Sequence, residues 1–237
     1  GVQTCALPIL RESKALAKFP LEEVVKTSRF GIWISMFITW VLTGCIVVFI
    51  LLMPGFVGGV LGFSPFETTY FQMGGLVCIV SSCWLTGRLA DKHNPSTLCI
   101  LFSAGFAVSS VAFFSLLYTA APVVSEVVLA YFATCFFAGI MNFCPIFMCD
   151  VFPARIRFSG ISFAYNIAYA LSGAFTPQLS FALHAYAKTH PDTLGAMGLS
   201  AYIVFLALVS IGTALAMRRV YKNGGAAVSQ MEFRPAP

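Results

Sequence analysis

Six stretches of this 237-residue chain contain no Asp, Glu, Lys or Arg: 30–53, 68–86, 98–118, 127–148, 159–183 and 197–217. No other feature limits the fold so severely. A helix crossing the hydrocarbon core of a bilayer needs about 20 mostly apolar residues, and each stretch supplies them. Barrel strands would alternate apolar and polar residues over segments of about 10; these runs do not alternate. Helices satisfy their own backbone N–H and C=O groups, as lipid requires. The sequence therefore predicts an all-α membrane protein with six transmembrane helices. Composition agrees: 59% of the residues are hydrophobic and 10% charged, against about 25% charged in a soluble domain. A soluble fold of this size could not cover so much apolar surface. Disorder, a disulfide scaffold and a nucleic-acid binder are excluded on the same grounds.

The few charges sort by side. Lys and Arg occur before the first stretch (Arg11, Lys14, Lys18, Lys26, Arg29), after the second (Arg88, Lys92), after the fourth (Arg155, Arg157) and after the sixth (Arg218, Arg219, Lys222, Arg234). The other side holds only Lys188. Basic residues concentrate in cytoplasmic loops, so both termini are expected in the cytoplasm and the chain in the cell (inner) membrane as a multi-pass protein. This placement accounts for the net charge of +5 without a polyanionic partner. Connectors are expected at Pro54 with Gly55, Gly58 and Gly59, at 91–95, at 120–122, at 150–157 and at 190–192.

Residues 1–9, GVQTCALPI, match the in-frame translation of a sequencing-library adapter and are read as an artefact. The natural protein is then expected to begin further upstream. Residues 10–29 read as a cytoplasmic loop, 30–217 as the six-helix membrane unit and 218–237 as a cytoplasmic tail.

Apart from Cys5, seven cysteines lie in or beside the apolar stretches without CxxC spacing, and read as small buried hydrophobes. His93, His184 and His190 are scattered, so no metal site is expected. No nucleophile elbow, P-loop or dinucleotide fingerprint occurs, and the spans hold no acid–base pair. Neither a cofactor nor an enzymatic activity is expected.

Three stretches carry a family resemblance. Gly87-Arg88-Leu89-Ala90-Asp91-Lys92 resembles the G-x-L-x-D-R-x-G-R-R signature of the loop between helices 8 and 9 in the major facilitator superfamily, with Asn94 at the second Gly and Pro95 and Ser96 at the trailing basic pair. The segment holding Asp150, Phe152, Pro153, Arg157 and Gly160 is similar to the E-x-F-P-x-x-x-R-x-x-G element between helices 10 and 11, with Asp in place of Glu. It continues into Tyr165-Asn166-Ile167-Ala168-Tyr169-Ala170, then Gly173, Thr176 and Pro177. The lead-in Phe19-Pro20-Leu21-Glu22-Glu23-Val24 is similar to the amphipathic central loop before helix 7. In this order the three resemble the C-terminal half of metabolite:proton symporters, which include proline/betaine, citrate, 2-oxoglutarate and shikimate carriers. The resemblance covers about residues 10–220. It implies helices 7–12 of a twelve-helix fold whose substrate site lies at the midplane between two six-helix halves. The implied partners are a small-molecule substrate, protons, the lipid bilayer and an N-terminal six-helix half of the same protein.

The resemblance also implies that Gly87, Arg88, Asp91 and Lys92, with Asp150, Arg155 and Arg157, form a cytoplasmic gate. A carboxylate near a helix N-terminus gains about 0.3–1 kcal/mol when exposed; a solvated loop charge that only sets topology is the alternative. Arg155 and Arg157 either pair with Asp150, touch lipid headgroups or serve topology alone. A charge at the bilayer centre costs about 2.5–3.5 kcal/mol on insertion scales, and the six stretches hold none. A proton-binding carboxylate is therefore expected in the other half, because Glu67, Glu126 and Asp192 fall at the outer ends. Neutral groups remain for the substrate. Ser162, Asn166, Tyr169 and Gly173 follow i, i+4, i+7, i+11 and share one helix face, which either lines an aqueous cavity or packs against other helices. Trp40, which is deeper than the belt residue Trp33, and the amides Gln72 and Asn142 complete the candidates. The expected function is part of a secondary active transporter that moves a small polar or anionic metabolite by alternating access, with proton coupling. A six-helix membrane scaffold and a homodimer of half-transporters are the alternatives.

Overall fold

The computed structural model describes residues 20–119, 121–154, 156–190 and 194–222, so Arg155, Asp192, the adapter-like 1–9 and the tail 223–237 lie outside it. Among the described residues there is no strand. Helix α1 (Pro20–Thr27) is an amphipathic lead-in. It buries Val24 against Phe152 and Ile156 and keeps an exposed Lys26–Glu22 pair, 2.5 Å apart. Helix α2 (Arg29–Cys45), a π-helix (Ile46–Leu52) and α3 (Met53–Leu61) run on as one helical span of 33 residues. Then come α4 (Pro65–Ala90) and α5 (Pro95–Leu117). Helix α6 (Val124–Phe137), a 3-10 helix (Ala138–Asn142) and α7 (Phe143–Val151) make the next span. Helices α8 (Arg157–Thr189) and α9 (Leu194–Lys222) complete the bundle.

Five of these spans are long and apolar enough to cross a membrane. Helix α8 is not among them, although at 33 residues it has ample length. Ser159, Ser162, Asn166, Ser172, Thr176, Gln178 and Ser180 keep its apolarity low. It differs from expectation in polarity, then, and not in extent.

The first connector also differs. Pro54 and the glycines after it do not end the span: the helix runs on past Pro54, and the Ile50 carbonyl that its missing N–H leaves is taken by Gln72 Nε2. The turn comes at Gly62, whose φ of 70° lies in the left-handed region open to glycine. Ser64 then starts α4 with a capping box: Glu67 N–H donates to Ser64 Oγ at 3.3 Å, and Ser64 N–H to Glu67 Oε2 at 2.8 Å. At the C-terminal end, α9 runs through to Lys222, past the limit of 217 read from the sequence.

Helix α9 lies along α5, and α2 lies along α8. Gly160, Ala164, Ala168, Ser172, Thr176 and Ser180, each four residues apart, form the buried stripe of α8. Small residues at that spacing let helix backbones approach closely, the main source of attraction between helices in lipid. The α5–α9 seam adds a polar tie, Ser103 Oγ to Ser210 Oγ at 2.8 Å. Phe49, Phe106, Phe113, Phe114 and Tyr131 fill one half of the core. Cys45, Cys99, Cys135 and Cys144 are buried there or below, whereas Cys149 is exposed, and all are free thiols.

Candidate functional site

The buried stripe fixes which way α8 faces. Across the helix from it, Asn166 and Tyr169 are exposed, and Ser162 and Gly173 are half-buried. Tyr169 stacks on Tyr165 with ring centroids 5.5 Å apart. Asn166 donates one amide hydrogen to the Ser162 carbonyl at 2.7 Å, leaving its second donor and its oxygen open. Further along, Pro177 has no N–H, so the Gly173 carbonyl lacks its usual donor one turn on. Nothing lies within 4 Å of where a Gly173 Cβ would point. The result is an uncharged face on which Asn166 and Tyr169 stand among the exposed apolar residues Ile167, Leu171 and Phe175.

Trp40 reaches α8 one level further along. Its ring stands edge-on to Phe175, centroids 6.1 Å apart, and its Nε1–H donates to Tyr202 Oη at 3.4 Å. Tyr202 Oη also lies 2.8 Å from Thr176 Oγ1. A buried polar chain thus links α2, α8 and α9 immediately behind the exposed rings.

Gln72 and Asn142 are not part of that face. Gln72 Nε2 donates to the Ile50 carbonyl at 2.7 Å. Asn142 Nδ2 donates to the Cys83 carbonyl and to Thr86 Oγ1, each at 3.2 Å, tying the 3-10 segment to α4. Both amides satisfy groups inside the bundle. The six cavity candidates therefore separate into an α2/α8 set and two internal ties.

The gate residues separate as well. Gly87 lies against Asn142, whose Nδ2 is 3.5 Å from where a Cβ would be. The Arg88 guanidinium sits 4.0 Å over the ring of Trp84, a cation–π contact. Asp91 and Lys92 are exposed in a tight turn built by backbone bonds, Lys92 N–H to Leu89 O at 3.1 Å and His93 N–H to Leu89 O at 2.8 Å. Asn94 closes the turn by accepting from Ser96 N–H at 2.9 Å. Asp150 accepts a hydrogen bond from Tyr221 Oη at 2.6 Å. Arg157 does not turn to Asp150; its Nε donates to the Phe152 carbonyl at 3.1 Å. The carboxylate already has a partner on α9, while the guanidinium closes the bend that Pro153 opens.

Phe152 explains the rest of that segment. A Cβ on Gly31 would come 2.9 Å from its ring, and one on Gly160 would come 2.6 Å from it. The ring fills a slot that only glycine leaves open on both α2 and α8. The segment thus pins the ends of α2, α7, α8 and α9 together.

The family model of the Major Facilitator Superfamily matches residues 7–177, well over half of the chain. The chain belongs to the major facilitator superfamily. No curated protein and no solved structure matches it. Membership makes it an integral, multi-pass membrane protein of a transporter family, in keeping with its five long apolar helices. The matched stretch takes in both the α4–α5 turn and the segment from Asp150 to Gly160.

Several residues of this transporter chain matter structurally without having stood out in the sequence. Tyr202 and Thr176 support Trp40, Tyr221 holds Asp150, and Gly31 receives Phe152. Phe152 and Thr176 carried a signal, as members of the stretches that resemble the family. The others are single residues whose partners lie 26 to 162 positions away.

Proposed function

We propose that this chain is the C-terminal six-helix half, helices 7–12, of a proton-coupled symporter for a small polar or anionic metabolite. The observation that carries the reading is the two-sidedness of α8. One side packs through small residues, and the other exposes Asn166 and Tyr169 among Ile167, Leu171 and Phe175, with open space beside Gly173. Uncompensated polar groups in hydrocarbon cost several kcal/mol on the order of each group's desolvation, so such a face belongs against water. In this reading α8 is the fifth of six spans, both termini are cytoplasmic and the membrane is the inner cell membrane. The polar face and Trp40 line one wall of the central cavity, and the other half supplies the opposite wall.

The wall is uncharged, so an anionic substrate takes its counter-charge from the other half, and the coupling carboxylate lies there too. Asp91 and Lys92 are free of ion pairs in the described residues and serve as the inner gate in states where the other half approaches. Asp150 and Arg157 act as structural members of that gate through Tyr221 and Phe152. The reading is supported by the α4–α5 turn, the segment from Asp150 to Gly160 and the family to which the chain belongs.

Uptake by the intact transporter in vesicles tests it. Accumulation should collapse when an uncoupler is added, and Asn166→Ala or Tyr169→Ala should impair uptake with membrane insertion unchanged. Accumulation that survives the uncoupler removes proton coupling; normal kinetics in both variants remove the cavity wall. Saturable uptake by residues 10–237 alone would instead support a homodimer of half-transporters.

A further inference from the structure

The first span contains a π-helix with a physical cause. Pro54 has no N–H, so it can serve neither the Ile50 carbonyl, four residues back, nor the Phe49 carbonyl, five residues back. Those are the two carbonyls that side chains from other helices reach. Tyr131 of α6 donates its hydroxyl to Phe49 O at 2.9 Å, and Gln72 of α4 donates Nε2 to Ile50 O at 2.7 Å. Both groups are held in place for this. The Tyr131 ring is buried, stacks on Phe71 with centroids 4.1 Å apart and lies against Gly75, where a Cβ would come 2.6 Å from the ring. Gln72 sits one residue after Phe71, on the same turn of α4.

Beyond this point the span changes character. Helix α3 carries Gly55, Gly58 and Gly59, and Gly55 has nothing within 4 Å of its Cβ direction. Met53, Phe56 and Val57 anchor it in the core, Phe56 stacked on His184 at 4.0 Å and edge-on to Phe181 at 5.6 Å. A segment with three core side chains and three glycines thus follows a π-helix whose loose carbonyls are held by two neighbouring spans. π-Helical turns inside α-helices are places where the ladder can re-register.

We propose that Tyr131 and Gln72 are positioning residues that set the orientation of the outer segment Met53–Leu61, so that this segment re-registers when their two hydrogen bonds exchange. Its role in transport rests on the reading given above, but the test reads backbone protection rather than uptake, so either can fail alone.

The test is hydrogen exchange by mass spectrometry on the transporter in lipid vesicles. Loss of one hydrogen bond to a helix carbonyl shifts a local equilibrium about ten-fold. Tyr131→Phe and Gln72→Met should each speed exchange in 53–61 about ten-fold, with α5 and α9 unchanged. Pro54→Ala restores an N–H four residues after Ile50, so Gln72→Met should have no further effect in that background. The proposal is overturned if exchange in 53–61 stays at the wild-type rate, if it rises equally in every helix, or if Gln72→Met acts as strongly with Ala at 54 as with Pro.

Discussion

Helices α4 and α8 both leave a long face uncovered, one an apolar row and the other apolar with polar groups set into it. Along α4, Phe66, Tyr70, Met73, Val77, Val80 and Trp84 are all exposed, an unbroken apolar and aromatic row at helical spacing. Along α8 the uncovered side sets Asn166 and Tyr169 among the exposed apolar residues Ile167, Leu171 and Phe175. Lipid or an apolar protein surface can meet the first at no cost. The polar groups of the second need water or a polar ligand. Two uncovered faces on one bundle therefore need two different neighbours, and the chemistry of each face tells which. Burial alone does not separate them; the atoms left exposed do.

The largest effect expected from breaking this difference is on transport. Asn166→Ala should cut the rate of uptake at least about ten-fold, the loss of roughly one substrate or water hydrogen bond at a binding site, while Val77→Ala on α4 leaves it within about two-fold. Equal losses in the two variants would dissolve the distinction. The next effect sharpens it within α8 itself. Gly160→Leu on the packed side drives a side chain into the Phe152 ring and should destabilise the bundle by about 1–3 kcal/mol, read as a lower thermal midpoint in detergent. Asn166→Ala should leave that midpoint in place.

The helices themselves were legible because lipid imposes one rule everywhere: a long charge-free run must satisfy its own backbone. The breaks within them were not. Pro54-Gly55 reads as a connector, since proline and glycine end helices in water. Here Tyr131 and Gln72 take up the carbonyls that Pro54 leaves, and those partners are 82 and 22 positions away. Gln72 and Asn142 were recognisable as amides inside the membrane, but what an amide bonds to is decided by the helix opposite. The spacing of Ser162, Asn166, Tyr169 and Gly173 does place them on one face, as a 3.6-residue period requires. Spacing could not say that the face points outward; the buried stripe of Gly160, Ala164 and Ala168 on the other side does that.

Smaller effects are expected at the helix ends. Tyr221→Phe removes the hydroxyl that donates to Asp150 and should cost about 1.5–3 kcal/mol, the range for a hydrogen bond to a charged group. It should be seen as faster hydrogen exchange at the end of α9. Trp84→Leu keeps the apolar row of α4 but removes the surface under Arg88, worth about 0.5–1 kcal/mol at an exposed site. A midpoint shift at the limit of detection, with uptake retained, is the expected result.

The contrast between the two faces is tested most directly by water access. Cysteines placed one at a time at Asn166 and at Val77, in a background with the exposed Cys149 changed to Ser, can be titrated with a small water-soluble thiol reagent in vesicles carrying the intact transporter. The account predicts rapid modification at position 166, slowed by transported substrate, and none at position 77. Modification at position 77 with protection at position 166 would contradict it.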